Sequence, residues 1–175
     1  MSNETNDPQN TLALVMAALL ARIWLAVRAL QTGIEKYAGL ITTDEPTMVD
    51  GKPEPHGLTT ETADKVYGMS HYHGVPEPMM DKFTKEPLMM GWSLKIYDAI
   101  LGPVLIVLGL TILLGVASRL SLFALGLLYI SLTWGLILLG QQGAPGVAWL
   151  GTHMILIIAA LALSKYNRFC VLKKW

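Results

Sequence analysis

Arg22, Asp98 and His153 are the three side chains of this chain whose types and positions suggest chemistry inside an apolar setting. Arg22 lies within the run Thr11–Leu30, about the ~20 residues a hydrocarbon core of ~30 Å requires of a helix. A guanidinium at that depth costs at least ~2.5 kcal/mol on insertion scales unless it reaches a partner, a water-filled cavity or the interface. An imidazole with a pKa near ~6.5 can move protons, and a carboxylate closer to the surface can relay them. A guanidinium can stabilise developing negative charge. With Arg28 as a second cation and Trp134 and Tyr129 as aromatic walls, these types suit a quinone, whose carbonyls need donors and whose two-electron reduction needs two protons. The plainer alternative is that Arg22, Asp98 and His153 satisfy one another as structural glue. For Arg28 the plain reading is a side chain that snorkels or pairs with a loop acid.

The elements that must position these groups are four apolar helices. Of 175 residues, 53% are hydrophobic and 15% charged, and the apolar residues are clustered. The expected spans are 11–30, 96–116, 120–139 and 147–163, giving an all-α integral membrane four-helix bundle. Four such segments in so short a chain leave too little amphipathic surface for a water-soluble fold. Helical spacing places Ala18, Arg22, Ala29, Gly33 and Lys36 on one face of the first span. It places Asp98, Gly102, Leu105 and Gly109 on one face of the second, where Pro103 forms a kink or sits in the first turn. On the third span Ala124, Leu128, Ser131 and Gly135 share a face beside Trp134. On the fourth, His153, Ile157, Ala160 and Ser164 do.

A long loop, 31–95, separates the first two spans and carries ten acids against six lysines. The tail, 164–175, is basic, and the N-terminal tail, 1–10, is acidic with no basic segment before the first span. The positive-inside rule therefore places both termini in the cytoplasm and the loop outside. The first span is expected to remain in the mature protein. A multi-pass protein of a bacterial or archaeal cytoplasmic membrane is expected. In the loop, His71 and His73 stand at i and i+2 and could share a metal ion in an extended segment, although the spacing is not that of a recognised zinc or copper site. Only His153 is a histidine within a span, so no haem ligand pair exists in this chain alone. No Cys cluster, flavin or dinucleotide motif is present, and the one cysteine, Cys170, excludes an internal disulfide. No nucleic-acid motif is present either.

Two blocks carry a family resemblance. The first, from Arg22 through Gly33 to Lys36, resembles the opening of DoxX/DoxD-like membrane proteins: an Arg early in the helix, then a Gly, then a Lys at its exit. The second, Gly102-Pro-Val-Leu-Ile-Val-Leu-Gly-Leu through Gly115 to Arg119, resembles that family's glycine-rich hairpin. Asp98 is the nearest acid to the Glu often found before that run, and the long His-containing loop departs from the general pattern. The resemblance implies a membrane subunit of the thiosulfate:quinone oxidoreductase type, working with other redox subunits in a hetero-oligomer. Two functions follow as expectations: a subunit that binds or reduces quinone with a partner's electrons, or a non-catalytic accessory subunit of a larger electron-transfer complex. A small transporter is less well supported, since no inverted repeat is visible.

Overall fold

The computed structural model describes residues 8–49, 51–53, 56–141, 143–168 and 170–171. The N-terminal tail as far as residue 7 and the end of the basic tail, 172–175, lie outside them. Helix α1 spans Pro8–Glu35, α2 Glu77–Phe83, α3 Gly91–Leu114, α4 Ser118–Leu138 and α5 Pro145–Ala162. All but α2 are long and apolar enough to cross a membrane, and the chain is a multi-pass membrane protein. The four helices overlap the expected spans, with α1 running five residues further at its C-terminal end and α3 starting five residues earlier.

The four long helices form a closed square, α1 packing on α3 and α5, and α4 on the same two. Each is antiparallel to its neighbours. Small residues set the α1–α3 approach: a Cβ added at Gly33 would lie 3.0 Å from the Ile106 nitrogen, and one at Gly109 would lie 2.7 Å from Leu30. Such seams let backbones pack closely where lipid offers no hydrophobic drive. The expected inward faces of α1, α3 and α5 are buried: Ala18, Arg22 and Ala29, Leu105 and Gly109, and His153, Ile157 and Ala160. On α4 the buried stripe is Leu122, Leu125, Tyr129 and Gly135, while Ser131 faces α3 at Tyr97 and Trp134 is exposed. The α3–α4 turn closes as a Schellman motif, with Gly115 at φ 71°, its N–H on the Ile112 carbonyl and the Val116 N–H on Thr111.

The chain is mostly helical, but the segment between α1 and α3, expected as a long loop of an all-α protein, carries strands. Strands β1 (Ala38–Pro46) and β4 (Thr59–Tyr67) make a nine-pair antiparallel ribbon, registered from Ala38↔Tyr67 to Pro46↔Thr59. A small tip hairpin, β2 (Met48–Val49) with β3 (Lys52–Pro53), extends it. The Thr- and Val-containing stretches favour extended backbone, and Gly51 at φ 78° allows the tight tip turn. The rest of the segment folds back over the bundle through a 3-10 turn, Met69–His71, and α2.

Candidate functional site

The polar side chains sort into three levels along the bundle. At the end carrying the C-terminal tail, Arg22 is 5% exposed, and its Nη1 donates to Asn167 Oδ1 at 2.5 Å and to Cys170 Sγ at 3.5 Å. Asn167 Nδ2 in turn donates to Ser118 Oγ at 3.4 Å. The tail thus folds under the bundle and brings Asn167 and Cys170 to the guanidinium.

At mid-bundle, Arg28, Tyr129 and His153 gather round Trp149. The His153 and Trp149 rings lie 3.9 Å apart, and the Tyr129 ring is 6.0 Å from Trp149. The Arg28 guanidinium carbon is 4.9 Å from the Trp149 ring centre, a cation–π contact. Arg28 Nη1 also donates to Gln31 Oε1 at 2.6 Å, in place of a loop acid. His153 Nδ1 is 2.8 Å from the Trp149 carbonyl, so in the neutral ring Nδ1 carries the hydrogen and Nε2 is an acceptor. Arg28 Nε, Tyr129 Oη and His153 Nε2 are buried without hydrogen-bond partners among the described residues.

At the opposite end, Asp98 Oδ1 accepts the Val75 N–H at 2.7 Å. Beside it α3 carries Pro103, which has no N–H for the Ala99 carbonyl. The Tyr72 hydroxyl enters that gap. It donates to the Asp98 carbonyl at 2.6 Å, shared with Ala99 O at 3.0 Å, and accepts the Gly102 N–H at 3.2 Å. The hydroxyl thus bridges Gly102 and Asp98 and caps the carbonyl that proline orphans. Burial pushes the Tyr72 phenol above its ordinary pKa, which keeps it a donor.

Arg22, Asp98 and His153 are therefore not brought to one place. The reason is helical geometry. Side chains lean toward the N-terminus of their own helix, and α1 and α5 are antiparallel. Arg22 leans to the tail end, His153 to the ribbon end. His71 and His73 also find separate partners. The His71 ring packs where a Gly39 side chain would stand, and His73 Nδ1 meets the His71 carbonyl at 2.7 Å. Among the described residues no group of three or more His, Cys, Asp or Glu side chains gathers as for a metal ion.

The concave site is a cavity of about 610 Å³ between the mid-bundle cluster and the ribbon end. Trp149, Leu150 and Leu101 form part of its depth, and Tyr97 and Ser131, hydrogen-bonded at 2.8 Å, cross it from α3 to α4. Val75, Pro76, Met79, Phe83 and Met89 roof it. The roof is tied down at Asp98 and at Gly135, where an added Cβ would stand 3.3 Å from Phe83. Trp134 lines the cavity while 60% exposed on the outer face of α4. Tyr129 does not line it; the ring stands among the buried residues around Trp149. Of the residues expected at the site only Trp134 lines the cavity, and Tyr97, Ser131, Trp149 and Lys36 were not among those expected. Trp149 was marked only by its i, i+4 relation to His153. Lys36 was marked by its place on the Arg22 face. Desolvation holds the Lys36 ammonium below the ordinary lysine pKa, opposed by the Asp98 charge.

Comparison of the chain with protein-family models, with characterised proteins and with solved structures finds no match.

Proposed function

We propose that this protein is the quinone-binding membrane subunit of an oxidoreductase, of the kind the DoxX/DoxD-like resemblance implies. Both termini are cytoplasmic and the ribbon is on the outer side of a bacterial or archaeal cytoplasmic membrane. Electrons come from a partner subunit, since the chain carries no haem ligand pair, Cys cluster or dinucleotide motif. The observation that carries this reading is the 610 Å³ apolar cavity with aromatic walls. Its size falls in the range of small-molecule sites. Trp134, Tyr97 and Trp149 offer flat surfaces to a ring, and the Lys36 ammonium offers a donor to one of its carbonyls. Reduction takes two electrons and two protons and leaves a quinol. Behind Trp149, the His153 imidazole can hold a proton and the Arg28 cation favours negative charge on a reduced ring. Arg22, at the tail end, anchors the C-terminal segment in this reading, and Asp98 anchors the roof. Thiosulfate as the donor substrate follows from the resemblance alone.

The test is to purify the protein in mild detergent with its partners, identify them by mass spectrometry and extract bound quinone. Near-stoichiometric quinone is expected, and its loss from Ser131→Trp, which fills the cavity. Quinone-free protein retained in the same complex would overturn the reading. It would favour an accessory subunit, which the exposed ribbon also suits as a contact surface.

A further inference from the structure

The roofed cavity has a second property that quinone binding does not require. Its aqueous side is closed by the packed cluster of Val75, Phe83 and Leu94 with Met79 and Met89. Its other boundary is formed by Leu127, Ile130 and Trp134, each more than half exposed on the membrane-facing surface of α4. The easier way in is therefore sideways, from the bilayer. Among the lining residues Lys36 is the only charged one, and no carboxylate accompanies it. No described carboxylate lies within ion-pair distance of its ammonium. Asp98 acts on it only from beyond that distance, with Oδ1 on the Val75 N–H. An amine half-removed from water, with no carboxylate in ion-pair contact, gains from a ligand that brings one.

We propose that the cavity binds a single-chain carboxylate amphiphile, a fatty-acid-like anion, with its head on Lys36 and its chain leaving past α4 into the bilayer. One cation matches one negative charge, and the apolar walls match an acyl chain. The proposal rests on the cavity and Lys36, not on quinone being a ligand. The two ligands exclude one another because they share the space.

Decanoate, decanol and hexadecanoate are titrated against the purified full-length chain in a neutral detergent, with bound ligand counted by native mass spectrometry. Decanoate is expected to bind one to one, at least about tenfold more tightly than decanol. Lys36→Met removes that preference, Lys36→Arg keeps it, and Ser131→Trp abolishes binding of both. Hexadecanoate binds no more weakly than decanoate, because its chain extends into the detergent or lipid. Equal binding of decanoate and decanol to the wild type, or an unchanged preference in Lys36→Met, overturns the role of Lys36. Decanoate binding that survives Ser131→Trp places the ligand elsewhere, and rejection of hexadecanoate overturns the lateral opening. Quinone extraction is read independently, so either proposal can fail without the other.

Discussion

Tyr72 supplies a hydroxyl where helix α3 lacks an amide. A proline in a helix interior costs about 3 kcal/mol, partly through the carbonyl it orphans. Here that carbonyl, Ala99 O, and the neighbouring Asp98 O share the Tyr72 donor. Gly102 makes room for the ring, since a Cβ there would meet Tyr72 at 2.6 Å. Tyr72→Phe keeps the ring and removes the bridge, leaving the Ala99 carbonyl short of a partner. A loss of about 1–3 kcal/mol is expected, the cost of unsatisfied buried groups. It is read as a lower unfolding temperature in detergent. Tyr67→Phe is the control, since its hydroxyl lies on the exposed ribbon, 3.4 Å from Glu35 and away from α3. Equal effects of the two variants would show that the bridge carries no stability. Neither Tyr72 nor Lys36 was legible in the sequence as a site residue. Each acquires its setting from a distant element, Tyr72 from α3 and Lys36 from the folded-back roof, and no local spacing announces such contacts. His153 and Trp149 were closer to legible, because an i, i+4 pair shares a helix face whatever the fold.

At the scale of elements, the spans were readable because length and hydropathy alone define them. The inward face of α4 was not. That helix is apolar nearly all round, so periodicity does not single out Leu122, Leu125 and Tyr129 over Leu128 and Ser131. The ribbon was missed for a related reason. Both its faces are exposed, so its strands show no alternation of apolar and polar residues, and Pro46 and Pro53 argue against strands. One signal was available: Asp50-Gly51 between Val49 and Lys52 is a two-residue hairpin sequence. The roof rests on an equally local detail. A Cβ at Gly74 would stand 2.0 Å from the Asp98 carbonyl oxygen, so only glycine permits this approach. Gly74→Ala must shift backbone and loosen the roof. Trypsin cleavage at Lys82 and Lys85, both exposed beside the roof, is expected to accelerate several-fold in folded protein. An unchanged cleavage rate would mean that the roof does not depend on this contact.

For the whole molecule, the proposed orientation rests on the asymmetry between the two ends. One end carries the acidic ribbon segment, the other Arg119, Lys165 and Arg168 near the tail. With the basic end cytoplasmic, Thr60→Cys in a Cys170→Ser background reacts with a membrane-impermeant maleimide on intact cells. Wild-type Cys170 reacts only after permeabilisation. The reverse pattern would invert the proposed topology and place the ribbon in the cytoplasm.

The hydroxyl inserted into α3 also bears on biogenesis. Tyr72 precedes α3 in the chain, and in the proposed orientation the segment carrying it crosses the membrane before α3 emerges from the ribosome. The nascent second span therefore meets its missing donor already delivered to the far side. A circular permutant that begins between α2 and α3 reverses that sequence. Its proline-interrupted span would have to enter the bilayer before the residue that completes it has been synthesised.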